Sequence, residues 1–235
     1  MELDKGGKKQ GLRERKIALA RNVILDAANR LLMTSSPPEF SMRALSDEAG
    51  VSFTTPFNYF GNKTGIIHGL AARIFEDIEA RYKSFPEGAD TIERVLNMGA
   101  AGIQVWLEHP DSNRYICASL MAPEGGQSSP KFLQYSCNLW RSALLSGDGL
   151  IPSRYEKVRE TLPVSLATAF RGVMALWIGG EIGNEQFGSL VNVNVATLLL
   201  DCAPTKTRAG LLDVLSTNAP ALIPTEVTQD DAASP

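Results

Sequence analysis

The apolar residues of this chain recur at spacings of three and four along most of its length, which is the period of an amphipathic α-helix. The first such run extends from Ile17 to Leu31 and predicts a helix over residues 14–33. The segment SSPPEF ends that helix, because consecutive prolines cannot continue it. Helical periods continue to about residue 202, so the pattern predicts an all-α protein.

A short second helix is predicted over residues 41–48. Ser41 is a typical N-cap residue, and the apolar residues that follow it have helical spacing. Gly50 can then take the left-handed conformation that a tight turn between helices needs, and Val51 closes the corner against the core. The pattern predicts a helix, a tight turn and another helix in close succession.

The stretch VSFTTPFNYFGNK, residues 51–63, contains the third helix. Ser52 or Thr54 is expected to cap it, with Pro56 in its first turn and Phe60 near its end. A long fourth helix follows, and its apolar face consists of Ile66, Ile67, Leu70, Ile74, Phe75 and Ile78. Three helices in this order, the second and third short and joined by a glycine turn, are typical of a helix-turn-helix unit.

In such a unit the start of the third helix enters the major groove of DNA. Phe60 is expected to pack inward, which leaves an exposed face rich in small hydroxyls and aromatic rings. That face consists of Phe53, Thr54, Thr55, Phe57, Asn58 and Tyr59. Hydroxyls reach phosphates and base edges at close range, and an aromatic edge can lie against a thymine methyl group. The composition therefore favours a DNA-reading surface.

Charge is distributed unevenly along the chain, although the net charge is only −3. Residues 1–83 contain 13 Lys and Arg against 10 Asp and Glu, whereas the remainder contains 10 against 16. The basic excess is concentrated at the start, in KGGKKQGLRERKIALAR. Residues 1–13 are interpreted as a flexible basic arm, which either seeks phosphates or is simply solvated.

Residues 15–70, and above all FSMRALSDEAGVSFTTPFNYFGNKTGII, resemble the DNA-binding domain of tetracycline-repressor-type (TetR family) regulators. The family pattern is IL-AA--L followed by IA--AGVS---LY-YF--K--L, and it is found here as ILDAANRLL, LSDEAGVS, PFNYF and NKTGII. The sequence departs from the pattern at Pro56 and Phe57, where the family more often has an aliphatic residue and Tyr. Because Phe57 has no hydroxyl, Asn58 or Tyr59 is expected to contact the phosphate in its place.

The resemblance implies a homodimer that binds a palindromic operator and usually represses transcription until a small molecule binds its C-terminal domain. By position it implies that Arg43 contacts a base and that Lys63 contacts a phosphate. The recognition helix and its entry correspond to Ser52, Phe53, Thr54, Thr55, Phe57, Asn58 and Tyr59. For Arg43 and Lys63 the alternative interpretation is an ordinary surface charge.

The rest of the chain has helical periods but no comparable motif. Helices are predicted over residues 92–108, 113–121, 130–145, 155–160, 163–185 and 190–202. The predicted domains are the arm, a DNA-binding domain over residues 14–84 that includes the fourth helix, an effector-binding and dimerisation domain over residues 85–204, and a largely disordered extension over residues 205–235.

The resemblance also implies that the last two long helices form the dimer interface. Their small residues lie among large apolar ones, which lets two helices approach closely. These small residues are Ala169, Gly172, Gly179 and Gly183. Packing within one subunit is the alternative explanation.

A ligand cavity between the middle helices is predicted from their aromatic and methionine side chains. The candidates are Trp106, Tyr115, Met121, Phe132, Trp140, Phe170, Met174 and Trp177. Ordinary core packing explains the same spacing. Arg114, Arg141 and Arg171 are the cations available for an acidic effector. Glu181 is available for a basic one, although a salt bridge explains each of these charges as well.

Other functional classes lack their usual sequence signatures. The three cysteines are far apart and never in CxxC spacing, so buried reduced thiols are expected rather than a disulfide framework or a zinc site. No GxSxG, GxxxxGK or HExxH motif is present, so no enzymatic activity, cofactor or metal is expected. The charged start and interrupted apolar runs favour a cytoplasmic protein. The alternatives to a regulator are a helical interaction module and an all-α enzyme without DNA binding.

Overall fold

The helical architecture predicted from the periodicity is confirmed. A computed structural model describes residues 5–86, 90–121, 130–145 and 147–222, and these residues form helices joined by turns, with no strand among them. The helices are α1 Lys5–Thr34, α2 Met42–Glu48, α3 Thr54–Phe60, α4 Lys63–Lys83, α5 Thr91–Glu108, α6 Pro110–Met121, α7 Pro130–Leu144, α8 Pro152–Val158, α9 Leu162–Ile178, α10 Asn184–Leu199 and α11 Thr205–Asn218, followed by a 3₁₀ turn, Ala219–Leu222.

The chain is divided into two compact units. Unit 1 comprises the described residues of Met1–Ile74 and His109–Ser128, and unit 2 comprises those of Phe75–Glu108 and Ser129–Pro235. This division differs from the predicted boundary at residue 84, because α4 is shared between the units and α6 belongs to unit 1. Within unit 1, α6 packs on α1, where a buried serine hydroxyl of α6 donates a hydrogen bond to a backbone carbonyl of α1 at 3.1 Å.

α1 begins earlier than the apolar period predicts. It starts at Lys5 rather than at residue 14, so the segment interpreted as a flexible arm, residues 1–13, is helical from Lys5 onward. Lysine, arginine and glutamine are good helix formers, and in residues 5–13 they outnumber the three glycines that oppose a helix. Residues 1–4 lie outside the described residues.

The long helix predicted over residues 163–185 is interrupted in the structure. α9 ends at Ile178 because Gly180 takes a left-handed conformation with φ 75°. The Glu181 N–H then bonds back to the Leu176 carbonyl at 3.0 Å. This is the Schellman arrangement that ends many helices, and glycine suits it because it has no Cβ.

α10 lies at the centre of unit 2 and starts at Asn184 rather than at residue 190 as predicted. It packs against α5, α9 and α11 and buries Phe187, Val191 and Leu199. Because three helices surround it, α10 contributes mainly to the core of its own unit.

α11 occupies residues that the sequence pattern assigns to a disordered extension, 205–235. Its helix is anchored by Leu211, which is buried. A mainly polar helix can pack through one well-placed apolar residue. The polar composition of this segment is the reason that the sequence pattern did not predict α11. Residues 223–235 of the extension lie outside the described residues.

A guanidinium group fixes the ends of two helices in unit 2. Arg94 of α5 donates hydrogen bonds to both carboxylate oxygens of Asp148, at 2.5 and 3.2 Å, and to the Ala143 carbonyl near the end of α7, at 3.1 Å. The hydrogen bond to Asp148 raises the pKa of Arg94, so the side chain stays charged. Arg94 therefore fixes the start of α5 against the end of α7.

Candidate functional site

The helix-turn-helix motif predicted from the sequence is formed by α2 and α3. The Ser41 side chain accepts a hydrogen bond from the Ala44 N–H at 3.1 Å, which confirms the predicted N-cap of α2. Gly50 has φ 64°, the left-handed conformation predicted for the turn. The Val51 N–H bonds to the Ser46 carbonyl at 3.0 Å. These backbone contacts set the angle between the two helices.

The inner faces of the motif are held by the core of unit 1. Ile24 of α1, Leu45 of α2 and Ile66 of α4 are fully buried. Pro56 is buried in α3, and its missing N–H costs little this early in the helix, as predicted. α3 packs on both α1 and α2, so its opposite face is presented on a fixed support.

The outward face of α3 carries residues that were predicted to contact DNA. Phe53 and Phe57 are 54% and 36% exposed, and their ring centroids lie 5.3 Å apart in an edge-to-face arrangement. Thr54 and Asn58 are exposed on the same helix, and Arg43 is exposed on α2. Large rings that touch one another on a surface helix favour a surface that contacts another molecule.

The start of α3 differs from the prediction that Ser52 or Thr54 caps it. The Ser52 hydroxyl lies 3.2 Å from that of Thr54 and 2.8 Å from that of Thr55, so it bonds to both threonine hydroxyls. Phe53 occupies the N-cap position, and its ring cannot accept the hydrogen bond. Capping patterns in a sequence do not reveal which hydroxyls pair, because pairing depends on side-chain rotamers.

Arg21 of α1 supports the end of α3. Its guanidinium group lies 4.1 Å from the ring centroid of Phe60 and donates a hydrogen bond to the Tyr59 carbonyl at 2.5 Å. A cation at a helix C-terminus also interacts favourably with the helix dipole. Phe60 and Tyr59 are half-buried, which agrees with the inward position predicted for Phe60. The sequence pattern assigned Arg21 only to the basic excess near the start of the chain.

Lys63, predicted to contact a phosphate, is surrounded by other side chains of unit 1. Its ammonium group lies 3.7 Å from the Glu39 carboxylate, and 5.0 and 5.6 Å from the ring centroids of Phe40 and Tyr115. The side chain is 33% exposed, so contact with a phosphate requires it to leave Glu39. Tyr115 was predicted to bind a ligand, but it lies on α6 and packs beside Lys63 instead.

Unit 2 contains an apolar cavity bounded by the end of α4 and by α5, α7 and α9. The residues predicted for ligand binding that line it are Trp106, Phe132, Trp140, Phe170 and Met174. The space is about 480 Å³ when the part open to solvent is included, but only about 30 Å³ of it admits a water-sized sphere. Phe75, Gly102 and Arg171 also line the cavity, and the ligand prediction did not include them.

The other residues predicted for ligand binding lie elsewhere. Tyr115 and Met121 belong to unit 1, whereas the cavity belongs to unit 2. Trp177 is fully buried in unit 2, where its indole N–H donates to the Asn184 side chain at 2.9 Å and its ring lies 5.0 Å from that of Phe187. Helical spacing does not distinguish residues that line a cavity from residues that are packed in the core. The prediction therefore placed all of them in one cavity.

Comparison with known families supports one of the functional classes left open by the sequence. Residues 24–70 match the family model of the bacterial regulatory proteins of the tetR family. These residues form a TetR-family DNA-binding domain. The match runs from α1 to the first part of α4 and therefore contains the whole helix-turn-helix motif. With this domain, the chain is a DNA-binding transcriptional regulator.

A solved structure shares the fold of this chain. It is a TetR-family transcriptional regulator from Marinobacter aquaeolei VT8, with a TM-score of 0.52 and 15% sequence identity, covering 84% of this chain and 98% of its own. A TetR-family transcriptional regulator from Haemophilus influenzae Rd is less similar, with a TM-score of 0.44 and 20% identity, covering 76% of this chain and 95% of its own. No curated protein matches the sequence.

The four small residues predicted at the dimer interface have different structural environments. Gly172 is exposed on α9, and a side chain built there meets no atom within 4 Å. Ala169 is half-buried on the same helix. Gly179 and Gly183 do not lie within a helix, contrary to the prediction, but cap the end of α9 and the start of α10. The left-handed glycine between them ends the helix, so the four residues do not share one helix face.

Within residues 5–86, 90–121, 130–145 and 147–222, no cluster of His, Cys, Asp and Glu is arranged to hold a metal ion. The three cysteines are buried and none forms a disulfide, and burial raises the pKa of the Cys202 thiol. No single described helix is long and apolar enough to cross a membrane; α8 and α9 meet the length and composition requirement only together, as a pair bent by 66°.

Arg21 gives the TetR-family site a direct test. Replacing Arg21 with methionine is expected to weaken specific DNA binding about tenfold or more, because a hydrogen bond from a charged group contributes roughly 1.5–3 kcal/mol. Fluorescence anisotropy with the specific site and with an unrelated duplex measures the effect. Arg21→Lys keeps the charge but not the planar guanidinium, so it should bind the unrelated duplex normally and the specific site weakly. Normal specific binding by Arg21→Lys would show that charge alone matters.

Proposed function

We propose that this chain is a repressor that binds a palindromic operator as a homodimer and leaves it when a small molecule occupies the cavity of unit 2. The observation that carries the proposal is the outward face of α3, where Phe53, Thr54, Phe57 and Asn58 are exposed on a helix whose other face is buried. A chromosomal operator also requires the protein to act in the cytoplasm.

The chemistry of this face suits the major groove. Asn58 can bond an adenine edge, and Arg43 can bond the two acceptors of a guanine. Phe53 and Phe57 present ring edges that fit thymine methyl groups, and Thr54 can contact either a base or a phosphate. Reading bases requires a helix in a fixed orientation, and the contacts of Arg21 with the end of α3 support that requirement.

A homodimer accounts for how so short a helix achieves specificity. One helix of seven residues reaches only a few base pairs, whereas two copies related by a two-fold axis read two half-sites of a palindrome. The support in unit 2 is an outward stripe on α9, spaced by four residues: Val164, Thr168, Gly172 and Leu176. Since α10 is surrounded by three helices, we centre the interface on α9 rather than on two helices equally.

Gly172 tests this interface. Gly172→Glu is expected to convert a dimer into monomers at micromolar concentration, because it places a charge beside its own symmetry mate in an apolar contact. The fold should be retained, since a side chain at Gly172 meets no atom within 4 Å. Sedimentation velocity measures the assembly state, and thermal unfolding checks the fold.

Gly210 provides a matched control, because it is helical and equally free of neighbours on α11. Gly210→Glu should remain dimeric. A wild-type monomer at micromolar concentration would contradict both the dimer and the two-fold operator. A dimer that persists in Gly172→Glu would move the interface away from α9.

Release by a small molecule requires that the ligand prefer one arrangement of the protein over another. Since only about 30 Å³ of the cavity admits a water-sized sphere, an effector can enter only if lining side chains move. α4 supports a route from cavity to DNA: its first residue is Lys63, and Phe75 and Ile78 near its other end line the cavity. A ligand that displaces those side chains therefore acts on the helix that follows the recognition motif.

The experiment begins by recovering the genomic fragments that the chain binds. We expect one or a few fragments with a palindromic site, bound far more tightly than bulk DNA at physiological salt. An effector should then weaken operator binding by the same factor as the operator weakens effector binding. Equal binding to all fragments would contradict the operator, higher transcription from the bound promoter would contradict repression, and effector affinity unaffected by operator would contradict release.

A further inference from the structure

The charge in the cavity of unit 2 is concentrated at one point. Arg171 of α9 is the only charged residue among the described residues that line it, and Ser136 is the only one with a hydroxyl group. The remaining walls are aromatic, aliphatic or methionine side chains, with one glycine. A pocket of this composition binds a mainly apolar molecule and uses its few polar groups to orient it.

Arg171 has no acidic partner within the part of the chain that the structure describes. Its guanidinium group lies 5.5 Å from the ring centroid of Phe132, and no ion pair joins it to a described carboxylate. By contrast, Arg94 and Arg154 of the same unit pair with Asp148 and Asp201. A half-buried guanidinium against an aromatic wall is available to a carboxylate that comes from a ligand.

We infer that the effector is an aromatic acid, whose carboxylate bonds Arg171 and whose ring lies among the aromatic side chains of the cavity. The inference rests on the proposed function, since it names the chemical class of the molecule that occupies the same cavity. Arginine binds carboxylates through two parallel hydrogen bonds, which fix the orientation of the ligand as well as its affinity. Aromatic walls favour a flat ring by edge-to-face and offset contacts.

The ligand enters the cavity at the position of the Phe132 ring, which now faces Arg171. Phe132 of α7 contacts the guanidinium group and also packs edge-to-face on Phe75 of α4, with centroids 5.2 Å apart. A ligand that takes the place of Phe132 replaces a cation–π contact by an ion pair and restores an aromatic neighbour for Phe75. This exchange explains how a cavity with little enclosed space can accept a ring.

The lining argues against the other charge classes. A cationic ligand would lie beside Arg171 with no acidic residue in the described lining to compensate. A neutral ligand would leave the guanidinium partly desolvated without a partner of opposite charge. Charge complementarity therefore selects an anion from among the apolar molecules that the cavity could hold.

The test uses three probes with the same ring and chain: phenylpropionate, its neutral amide and phenylpropylamine. Each is titrated into the full-length protein without DNA, followed by calorimetry and by the emission of Trp106 and Trp140, which line the cavity. We expect the acid to bind at least about tenfold more tightly than the amide, and the amine not to bind detectably.

Arg171→Met should abolish the preference for the acid, and Arg171→Lys should retain part of it. Arg141→Met is the matched control: Arg141 is exposed on α7 and does not line the cavity, so its replacement should leave the preference unchanged. Equal binding of acid and amide, an unchanged preference in Arg171→Met, or no binding of any probe would each overturn the inference.

Failure of the ligand class and failure of the proposed function give different results. If the acid binds through Arg171 but does not release the operator, the ligand class stands and release by the cavity does not. If neutral or basic molecules release the operator while Arg171→Met behaves like wild type, the repressor proposal stands and the aromatic acid does not. Operator binding by Arg171→Met without ligand should equal that of wild type, because Arg171 belongs to unit 2.

Discussion

Replacing Gly65 with alanine is expected to abolish operator binding. A Cβ at this position would overlap the backbone carbonyl oxygen of Phe60, the last residue of α3. A backbone atom cannot move aside as a flexible side chain can, so the turn between α3 and α4 must open. We expect a cost of about 3 kcal/mol or more, at the upper end of overpacking penalties, together with loss of the orientation of α3.

The helical preference of alanine acts in the opposite direction and is too small to compensate. Alanine in place of glycine inside a helix stabilises by about 0.5–1 kcal/mol when space is free. Gly210→Ala in α11 measures that stabilisation by itself, because a Cβ there meets nothing within 4 Å. Thermal unfolding and operator binding of both variants decide the matter. Wild-type operator affinity in Gly65→Ala would show that the turn opens without disturbing α3.

Replacing Arg43 with alanine is expected to cost about 1–3 kcal/mol per half-site and to relax the preference at one base position in each half. Arg43 lies in the first turn of α2, and its fork of donors matches the two acceptors of guanine. Binding is measured against a set of operators that differ by single bases, at two salt concentrations. Equal weakening on every operator would make Arg43 a backbone contact.

Lys63→Ala serves as a comparison for Arg43→Ala, because we expect its effect on binding to be independent of the base sequence. Lys63 is predicted to bind a phosphate, so its replacement should weaken all duplexes alike and reduce the slope of log affinity against log salt by about one for each phosphate no longer neutralised. Arg30→Ala controls for charge alone, since Arg30 pairs with Glu48 on the surface of unit 1 at 2.6 Å. An effect of Arg30→Ala as large as that of Arg43→Ala would reduce the Arg43 result to general electrostatics.

Local sequence features predicted the recognition motif well. The N-cap at Ser41, the left-handed Gly50 and the early Pro56 are each determined by the conformational preference of one residue, and the structure has all three. The same type of information failed at α3, where Ser52 and Thr54 bond each other instead of the helix. A sequence pattern does not show which of several possible hydrogen-bond partners a hydroxyl group will choose.

The residues that line the cavity were predicted only in part. Periodicity identifies the inward face of each helix but does not show which other residues that face contacts. Trp106 and Trp140 line the cavity, whereas Trp177 has the same helical setting but is enclosed by solid core. α6 was assigned to the effector domain by its place along the chain, yet it packs on α1 in unit 1. Chain order therefore indicated the wrong neighbour for Tyr115, which lies beside Lys63.

The sequence by itself determined the helical class, the helix-turn-helix motif and the resemblance of that motif to the TetR family, because these depend on short-range spacing and on residues close together in the chain. Only the tertiary structure decided what individual charges do. Arg21 reaches the Tyr59 carbonyl across 38 positions of sequence, Lys63 is held by Glu39 and two rings, and Arg171 faces an aromatic wall with no described acid beside it. The function of a long, flexible and charged side chain depends on the groups that folding brings within its reach, and periodicity contains no information about those groups.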